Sequence, residues 1–574
     1  MSELLSLNQV KSENFQQSDS HYSATHFAIT ALLNCYIREV AISNNQFKLI
    51  NENHHYTIKL SIFNEEVSIK VNAQSISSQY VFLGKVYNNT KKKILNFDEL
   101  VNLINEDLAF KNQSLLNFEL IQQAKNSIQN IIFFIENNKY FKSYEKNIFL
   151  KSEQNLLFGH EFHPASKARF GLNLNDLAKI SPEVSAKFKL EYFKIPKTFF
   201  KSYQENHHLK LPTAIKELDD AILYPLHPYQ AQKILNNEKL SNVLNQHNIQ
   251  YIGTLSGDFY PTSSVRTLFN ENDDYFYKFS LHIRLTNCLR KNAFYELQNA
   301  VEITKILNNL NITNKNAVIL NEPQAFTINL NLKHTQTNLD IQEYFGFIVR
   351  DNINKKDYQS TYLALSLFSY QDNHKANIVK LIKSIKNNYL YQKKMNNWFK
   401  IYAEFIVKTI FDYYFNHGIV FEPHLQNILI NLDKNKFPQK IYIRDLEGTK
   451  LCDQFWQKSQ FNHLSENNIN ALFYTEEKSW SRLIYCLIIN NLATAIHYLS
   501  DGVYEYEILL WQTLKDILIS YKNDNLDNTY LCKKINHLLT DNYLPYKANL
   551  LTRFLKDADK NAQYINFENP FMKV

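Results

Sequence analysis

Val420-Phe421-Glu422-Pro423-His424-Leu425-Gln426-Asn427-Ile428-Leu429-Ile430 is answered, after a polar turn at Asp433-Lys434-Asn435-Lys436, by Ile441-Tyr442-Ile443-Arg444-Asp445-Leu446-Glu447-Gly448. A polar cluster running straight into an apolar, β-branched run reads as a loop feeding a buried strand, and the returning run reads as its hairpin partner. His417-Gly418 just before it is a helix stop, because glycine accepts the left-handed backbone that ends helices. The hairpin should therefore bring Glu422, His424, Gln426 and Asn427 close to Asp445. Around it the periodicity is helical: residues 360–417, with a long helix at about 396–416, and most of the chain from about 454 onward, ending in a tail helix over 547–555. The reading is an α+β protein with a mainly helical C-terminal part.

The hairpin has the layout of kinase-type sites, where an Asn after a catalytic loop and an Asp after the next strand hold Mg²⁺ against phosphates. Amide and carboxylate oxygens suit that ion. Two upstream stretches point to the same anion. The first is Gly159-His160-Glu161-Phe162-His163-Pro164-Ala165-Ser166-Lys167-Ala168-Arg169-Phe170-Gly171. It sets four nitrogen-bearing side chains between two of only nine glycines, a loop suited to phosphate or carboxylate. The second is the expected hairpin from Pro261-Thr262-Ser263-Ser264-Val265-Arg266-Thr267 to Tyr275-Phe276-Tyr277-Lys278-Phe279. A lysine inside so aromatic a strand needs a partner for its charge. Thr286 and Asn287 are placed to cap a helix over about 291–307, and a helix start favours anions. Ser264, Arg266, Lys278, Thr286 and Arg290 can thus converge on one polyanion. A zinc site from His160, His163 and His424 is the metal alternative, disfavoured by the neighbouring Lys167 and Arg169.

The remainder sets limits. The 574 residues carry 45% hydrophobic side chains, enough for several large cores. The net charge of +7 is mild for this length, and no basic cluster with interleaved aromatics indicates nucleic acid. Residues 1–20 are polar, without the pattern of a secretory leader. The most apolar stretch, 483–499, contains Asn490, Asn491 and His497, which reads as a buried helix and no membrane span. The cysteines, Cys35, Cys288, Cys452, Cys486 and Cys532, are odd in number and form no CxxC pair, which fits reduced thiols in a cytoplasm. Residues 1–150 offer strands over 47–71 and helices at about 21–40 and 112–137, with no chemical site. His227, between Pro225 and Pro228, reads as a core histidine at a strand tip.

Taken in order, residues 159–171, 226–230, 261–268, 278–290, 422–430, 444–448 and 547–553 resemble the NRPS-independent siderophore synthetases of the aerobactin-synthetase type. The resemblance spans most of the chain. It implies a cupped hand: a thumb-like lobe (1–150), a fingers lobe with a mixed sheet (151–355) and a helical, kinase-like palm (356–574), often as a homodimer. It also implies a ligase that uses ATP and Mg²⁺ to adenylate a carboxylate of citrate or a related acid, and then joins it to an amine, polyamine, hydroxylamine or alcohol. By the resemblance His163, Lys278, Arg290 and His424 are catalytic. His160, Lys167, Ser263, Ser264, Arg266, Thr267 and Gln426 meet the nucleotide, together with Lys278 and Arg290. Thr286, Asn287, His424, Gln426, Lys547 and Arg553 meet the acid, and Asn427 with Asp445 or Glu422 takes the metal. One departure stands out: Glu161-Phe162 occupies the place where the family more often has a proline after the first histidine. Two other readings compete, a kinase-like phosphotransferase, which releases ADP instead of AMP and pyrophosphate, and a siderophore-binding or iron-reducing protein. The latter, if it held an iron–sulfur cluster, would need clustered cysteines.

Overall fold

The computed structural model describes residues 19–138, 147–255, 257–285, 288–310, 312, 314–332, 335–370, 376–386, 389–557 and 563–574. Helix α1 (Asp19–Tyr36) runs directly into a π-helical turn, Ile37–Ala41. Five antiparallel strands follow in sequence order: β1 (Phe47–Glu52), β2 (His55–Ile62), β3 (Glu65–Val71), β4 (Phe82–Asn88) and β5 (Lys93–Ile94). The alternation in residues 56–62 becomes the burial pattern of β2, with Ile58, Leu60 and Ile62 inside. Asn96 opens α2 (Phe97–Lys111) by a reciprocal cap with Glu99, and α3 (Phe118–Asn137) packs on α1.

The core of this lobe includes residues from far away. Phe162, Leu550 and Phe554 belong to the same apolar cluster as Leu32, Ile58, Leu100 and Leu120. The tail is therefore seated in the first lobe. Its helix is shorter than the periodicity suggests, Asn549–Phe554, because Tyr543–Lys547 pairs as a strand with Tyr564–Glu568. Lys547 ends that strand and does not start the helix.

The middle of the chain includes a four-stranded and a six-stranded sheet. The larger has six strands, including β6 (Thr267–Phe269) and β7 (Tyr275–Phe279), which form the expected hairpin with Thr267 opposite Lys278. Every pairing recorded in these two sheets is antiparallel. The mixed sheet lies further on, where Ala317–Ile319 runs parallel to the returning strand of the 420–448 hairpin and covers its edge. Residues 317–350 contain a helix, Gln336–Phe345, capped by Thr335. The helix expected from residue 291 starts three residues later, as α4 (Phe294–Asn309). Ala293 stands at its N-terminus, and Thr286 and Asn287, expected to cap it, lie outside the described residues.

The C-terminal part is organised on α5 (Tyr391–His417), whose buried face includes Trp398, Tyr402, Ile406, Ile410 and Tyr414. Gly418 ends it with φ +63°, and the chain enters the hairpin of β8 (Ile428–Leu432) and β9 (Pro438–Ile443). Downstream, Glu476–Ile484, the π-helical Tyr485–Leu492 and Ala493–Leu499 form one continuous helical run. Among the described residues no helix is long and apolar enough to cross a membrane.

Two features of this frame yield stability predictions. A Cβ on Gly418 would sit 2.5 Å from Cβ of Phe455 in a left-handed backbone that side chains resist. Gly418→Ala should cost about 1–3 kcal/mol, read as a lower denaturation midpoint; an unchanged midpoint would show that Phe455 moves aside freely. Glu183 is buried against Lys167 Nζ (2.6 Å) and Arg169 Nη2 (2.5 Å). Burial opposes its charge, but Arg169 and Lys167 hold the carboxyl at about 2, below its ordinary 4.5. The stabilisation is thus complete above pH 4.5 and lost as pH falls towards 2. Glu183→Gln should be less stable than the parent at neutral pH and show a flatter stability curve in that acid window, measured by urea titration at several pH values.

Candidate active site

A cavity of about 340 Å³ is walled on one side by the 159–169 loop and on the other by the 422–427 and 444–445 segments of the C-terminal hairpin. The β6–β7 hairpin, the Tyr485–Leu492 turn and Lys547 with Asn549 complete it. The two anchor stretches, distant in sequence, thus face one space. Lysine and arginine side chains on this wall far outnumber its carboxylates, Glu422 and Asp445.

The side of the cavity formed by the β6–β7 hairpin begins with a tight turn. Val265 has φ +67° and is buried, an unusual conformation for a β-branched residue, and Asp445 across the cavity has φ +82°. Backbone strained in this way tends to mark functional sites. In the turn, Ser264 Oγ accepts the N–H of Thr267 (3.1 Å), and Ser263 N–H donates to Glu153 Oε2 (3.1 Å). Arg444 completes the join, its guanidinium on Glu153 (2.6 Å), on Ser263 Oγ (3.4 Å) and on the carbonyl of Gln426 (2.8 Å). One buried ion pair, Glu153–Arg444, therefore fixes the Ser263 turn against the Gln426-Asn427 segment.

Lys278 finds the partners that its aromatic strand demanded. Its ammonium bonds Asp445 and lies 2.5 Å from Glu447 Oε2. Burial alone would lower its pKa, but Asp445 and Glu447 outweigh that and raise it above the ordinary value. The same contacts act on the acids: against burial, Lys278 and Arg350 pull Asp445 well down, and Lys278 and Arg266 hold Glu447 at about 2. Arg350 Nη2 lies 2.7 Å from Asp445, and Arg266 Nη2 lies 3.1 Å from Glu447. Arg266 also holds Asn292 Oδ1 (2.5 Å), and Arg290 lines the cavity beside it.

The two loop histidines accept backbone N–H groups at Nδ1. His163 Nδ1 accepts the N–H of Ala165 (3.1 Å), which leaves Nε2 as the donor of a neutral ring. His160 Nδ1 accepts from Phe162 N–H (2.9 Å), and its Nε2 meets the Asn490 amide (2.6 Å). Burial, with His163 and His424 nearby, lowers His160 to about 3, and burial lowers His424 although Glu422 and Asp445 pull the other way. Among the described residues no group of three or more His, Cys, Asp and Glu side chains is arranged to hold a metal ion.

Of the residues singled out in the sequence, His160, His163, Lys167, Ser263, Ser264, Arg266, Thr267, Lys278, Arg290, Glu422, His424, Gln426, Asn427, Asp445 and Lys547 line the cavity. Arg553 does not line it. It is 1% exposed and bonds Glu119 of α3 (3.1 Å), because its helix turns that face into the first lobe. Glu422 lines the wall but is held by Arg482, with Nε 3.0 Å from Oε1, and its carboxyl group packs over Gly448. Asn427 donates its amide N–H to the carbonyl of Glu422 (3.1 Å). Sequence reasoning missed Arg350, Arg482, Asn490 and Asn549. For Arg482, Tyr485, Cys486 and Asn490 the helical spacing was available as a signal, masked by the apolar residues among them.

Residues 148–369 match the model of the IucA / IucC family, and residues 396–562 match that of the ferric iron reductase FhuF-like transporters. The chain is 25% identical to the L-2,3-diaminopropanoate–citrate ligase of Staphylococcus aureus (strain NCTC 8325 / PS 47), over 95% of this chain and 96% of that protein. It is equally 25% identical to the spermidine–citrate ligase of Bacillus anthracis, over 96% and 98% of the two. Its mixed α+β fold matches the ATP-bound aerobactin synthetase IucA from a hypervirulent pathotype of Klebsiella pneumoniae, with TM-score 0.83 at 20% identity over 95% of this chain and 99% of that one. The petrobactin biosynthesis protein AsbB of Bacillus anthracis matches with TM-score 0.77 at 17% identity, over 97% and 96%. With the ordered motifs now gathered around one cavity, the chain is similar to the IucA / IucC family over residues 148–369 and to citrate ligases over nearly its whole length.

Proposed function

We propose that this cavity binds ATP beside citrate or a citrate derivative, transfers AMP to one carboxylate, and passes the acyl group to an amine, hydroxylamine or alcohol. The observation that carries the reading is the single cation-rich cavity walled by both anchors. In the first step a carboxylate oxygen attacks the α-phosphorus and the bond to pyrophosphate breaks. Charge grows on the phosphate oxygens and on the departing pyrophosphate. Fixed cations and hydroxyls stabilise that charge without having to reorganise. Ser263, Ser264, Arg266, Thr267 and Lys278 are assigned to the phosphates, with His160, His163 and Lys167 closing from the loop. Arg290 reaches nucleotide and acid, while His424, Gln426 and Lys547 orient the acid's carboxylates. In the second step the nucleophile's lone pair attacks the acyl carbon, AMP leaves, and the nucleophile's proton is lost.

Asn427 and Asp445 offer the hard oxygen donors that suit Mg²⁺. Bound there, the ion would offset phosphate charge. Glu422 is the alternative acid for it; both carboxylates already have cationic partners, Glu422 in Arg482 and Asp445 in Lys278 and Arg350. The hairpin of β8 and β9, with Lys278 set opposite Asp445, is the part we read as the kinase-like palm of a thumb, fingers and palm hand. The proposal extends to a homodimer in the cytoplasm, a compartment that the free thiols Cys35, Cys452, Cys486 and Cys532 suit.

Pyrophosphate release should depend on citrate or a citrate monoamide in a panel that includes succinate and 2-oxoglutarate, with AMP as the nucleotide product once an amine is added. ADP as the product would instead support the phosphotransferase reading. Lys278→Ala and Arg290→Ala should each slow acid-dependent pyrophosphate release by about 10²–10³-fold, the scale for removing one oriented donor at such a site, with the fold intact by circular dichroism. Wild-type rates in these variants would remove both residues from the mechanism.

A further inference from the structure

The π-helical turn Ile37–Ala41 of the first lobe carries a charged pair, Arg38 and Glu39, each 3% exposed. Neither lines the cavity. Glu39 accepts N–H bonds from Asn549 and Leu550 (3.0 Å each, both on Oε1) and from Leu551 (2.9 Å, on Oε2). Burial lifts its carboxyl to about 7, while those N–H groups and Arg38 favour its charge. Arg38 lies over the Phe162 ring, 3.6 Å from the centroid, with Phe567 and Tyr546 at 5.1 and 5.7 Å. Its Nε donates to the carbonyl of Ser78 (3.3 Å), and its buried Nη2 meets no hydrogen-bond acceptor among the described residues. That guanidinium is used for its flat face.

Both gripped segments are cavity walls. Phe162 lies between His160 and His163, and Asn549 lies two residues after Lys547; these four polar residues line the cavity. The segments are also tied to each other, since Asn549 Nδ2 donates to the carbonyl of Phe162 (2.8 Å). Glu161 is held in the same manner, by Tyr498 Oη (2.5 Å) and by Gln79 Nε2 (2.8 Å) of the first lobe. So Glu161-Phe162, the pair that departs from the family's more usual proline, is where this chain attaches its loop to the lobe behind it. The β6–β7 hairpin is secured separately, on Glu153, Arg444 and Asp445.

We infer that Arg38 and Glu39 are positioning residues: they hold the His160–His163 loop and the Lys547–Asn549 junction at a fixed separation, and through that separation set the grip on the carboxylic acid. The inference rests on the acid-activating reading of the cavity. Charge-assisted bonds from three consecutive backbone N–H groups fix a segment in place more firmly than apolar packing does. A displacement of a binding side chain by even 1 Å degrades catalysis.

The test is Glu39→Gln in the full chain. The KM for the acid should rise about tenfold, roughly 1.4 kcal/mol of binding, with the KM for ATP changed less than about threefold. Hydrogen exchange needs no substrate: amides 549–551 should exchange faster in the variant while those of β1–β3 keep their rates. Unchanged exchange at 549–551, or equal rises in both KM values, would overturn the inference. Should the wild-type protein release no pyrophosphate with any acid, the functional reading fails while the exchange comparison still decides the positioning role. If Glu39→Gln does not fold, Phe162→Leu keeps an apolar plug but removes the ring beneath Arg38. It should show faster exchange over 160–166 and a higher KM for the acid and, because His160 and His163 are assigned to the phosphates, for ATP as well, and normal exchange with normal KM values would equally end the idea.

Discussion

A buried ammonium has to be neutralised, and in this chain the choice of partner joins the two halves of the site. Lys278 stands on β7, while Asp445 and Glu447 stand beyond the last strand of the C-terminal hairpin. A lysine so deeply buried would be expelled or deprotonated without them. Their contact therefore sets the distance between the strained turns at Val265 and Asp445. Arg266, Arg350 and Glu322 extend the network, so the junction is a lattice of charges that no single neutral substitution reproduces.

The same lattice shapes the electrostatics of the empty cavity. Lys167 and Arg169 share Glu183, Arg444 holds Glu153, and Arg482 holds Glu422. These cations are oriented before any ligand arrives, because each has a carboxylate to fix its geometry. A polyanion entering here competes with those carboxylates, and the side chains need not search for new conformations. Such preorganisation distinguishes a catalytic wall from a surface that is merely basic.

Local signals made much of this legible in the sequence. Gly418 after His417, the apolar run 428–430 and the polar turn at 433–436 were enough to place Asn427 near Asp445. The lone charge in Tyr275-Phe276-Tyr277-Lys278-Phe279 announced a partner, although not which one. What stayed hidden depends on distant pairing. Arg482 and Asn490 sit in a helix so apolar that it reads as core, and its π-helical turn has no sequence mark of its own. The direction of Arg553 could not be read either, since a six-residue helix presents each side chain according to what covers it, and here that is Glu119 and the first lobe. The FhuF-like match falls on residues 396–562, where Cys452, Cys486 and Cys532 are free thiols.

The seat of Leu550 and Phe554 in the first lobe's core has a consequence for how the molecule is made. The ribosome delivers β1 to β5 long before the segment that finishes their hydrophobic packing, so that lobe must wait through most of synthesis with an open apolar seam. Pairing between the two ends of a chain is slow for entropic reasons, and an exposed seam attracts chaperones or other nascent chains. A fragment stopped ahead of Asn549 would leave Glu39 buried without its three amide partners, so truncation from the far end should be felt first in the opening lobe.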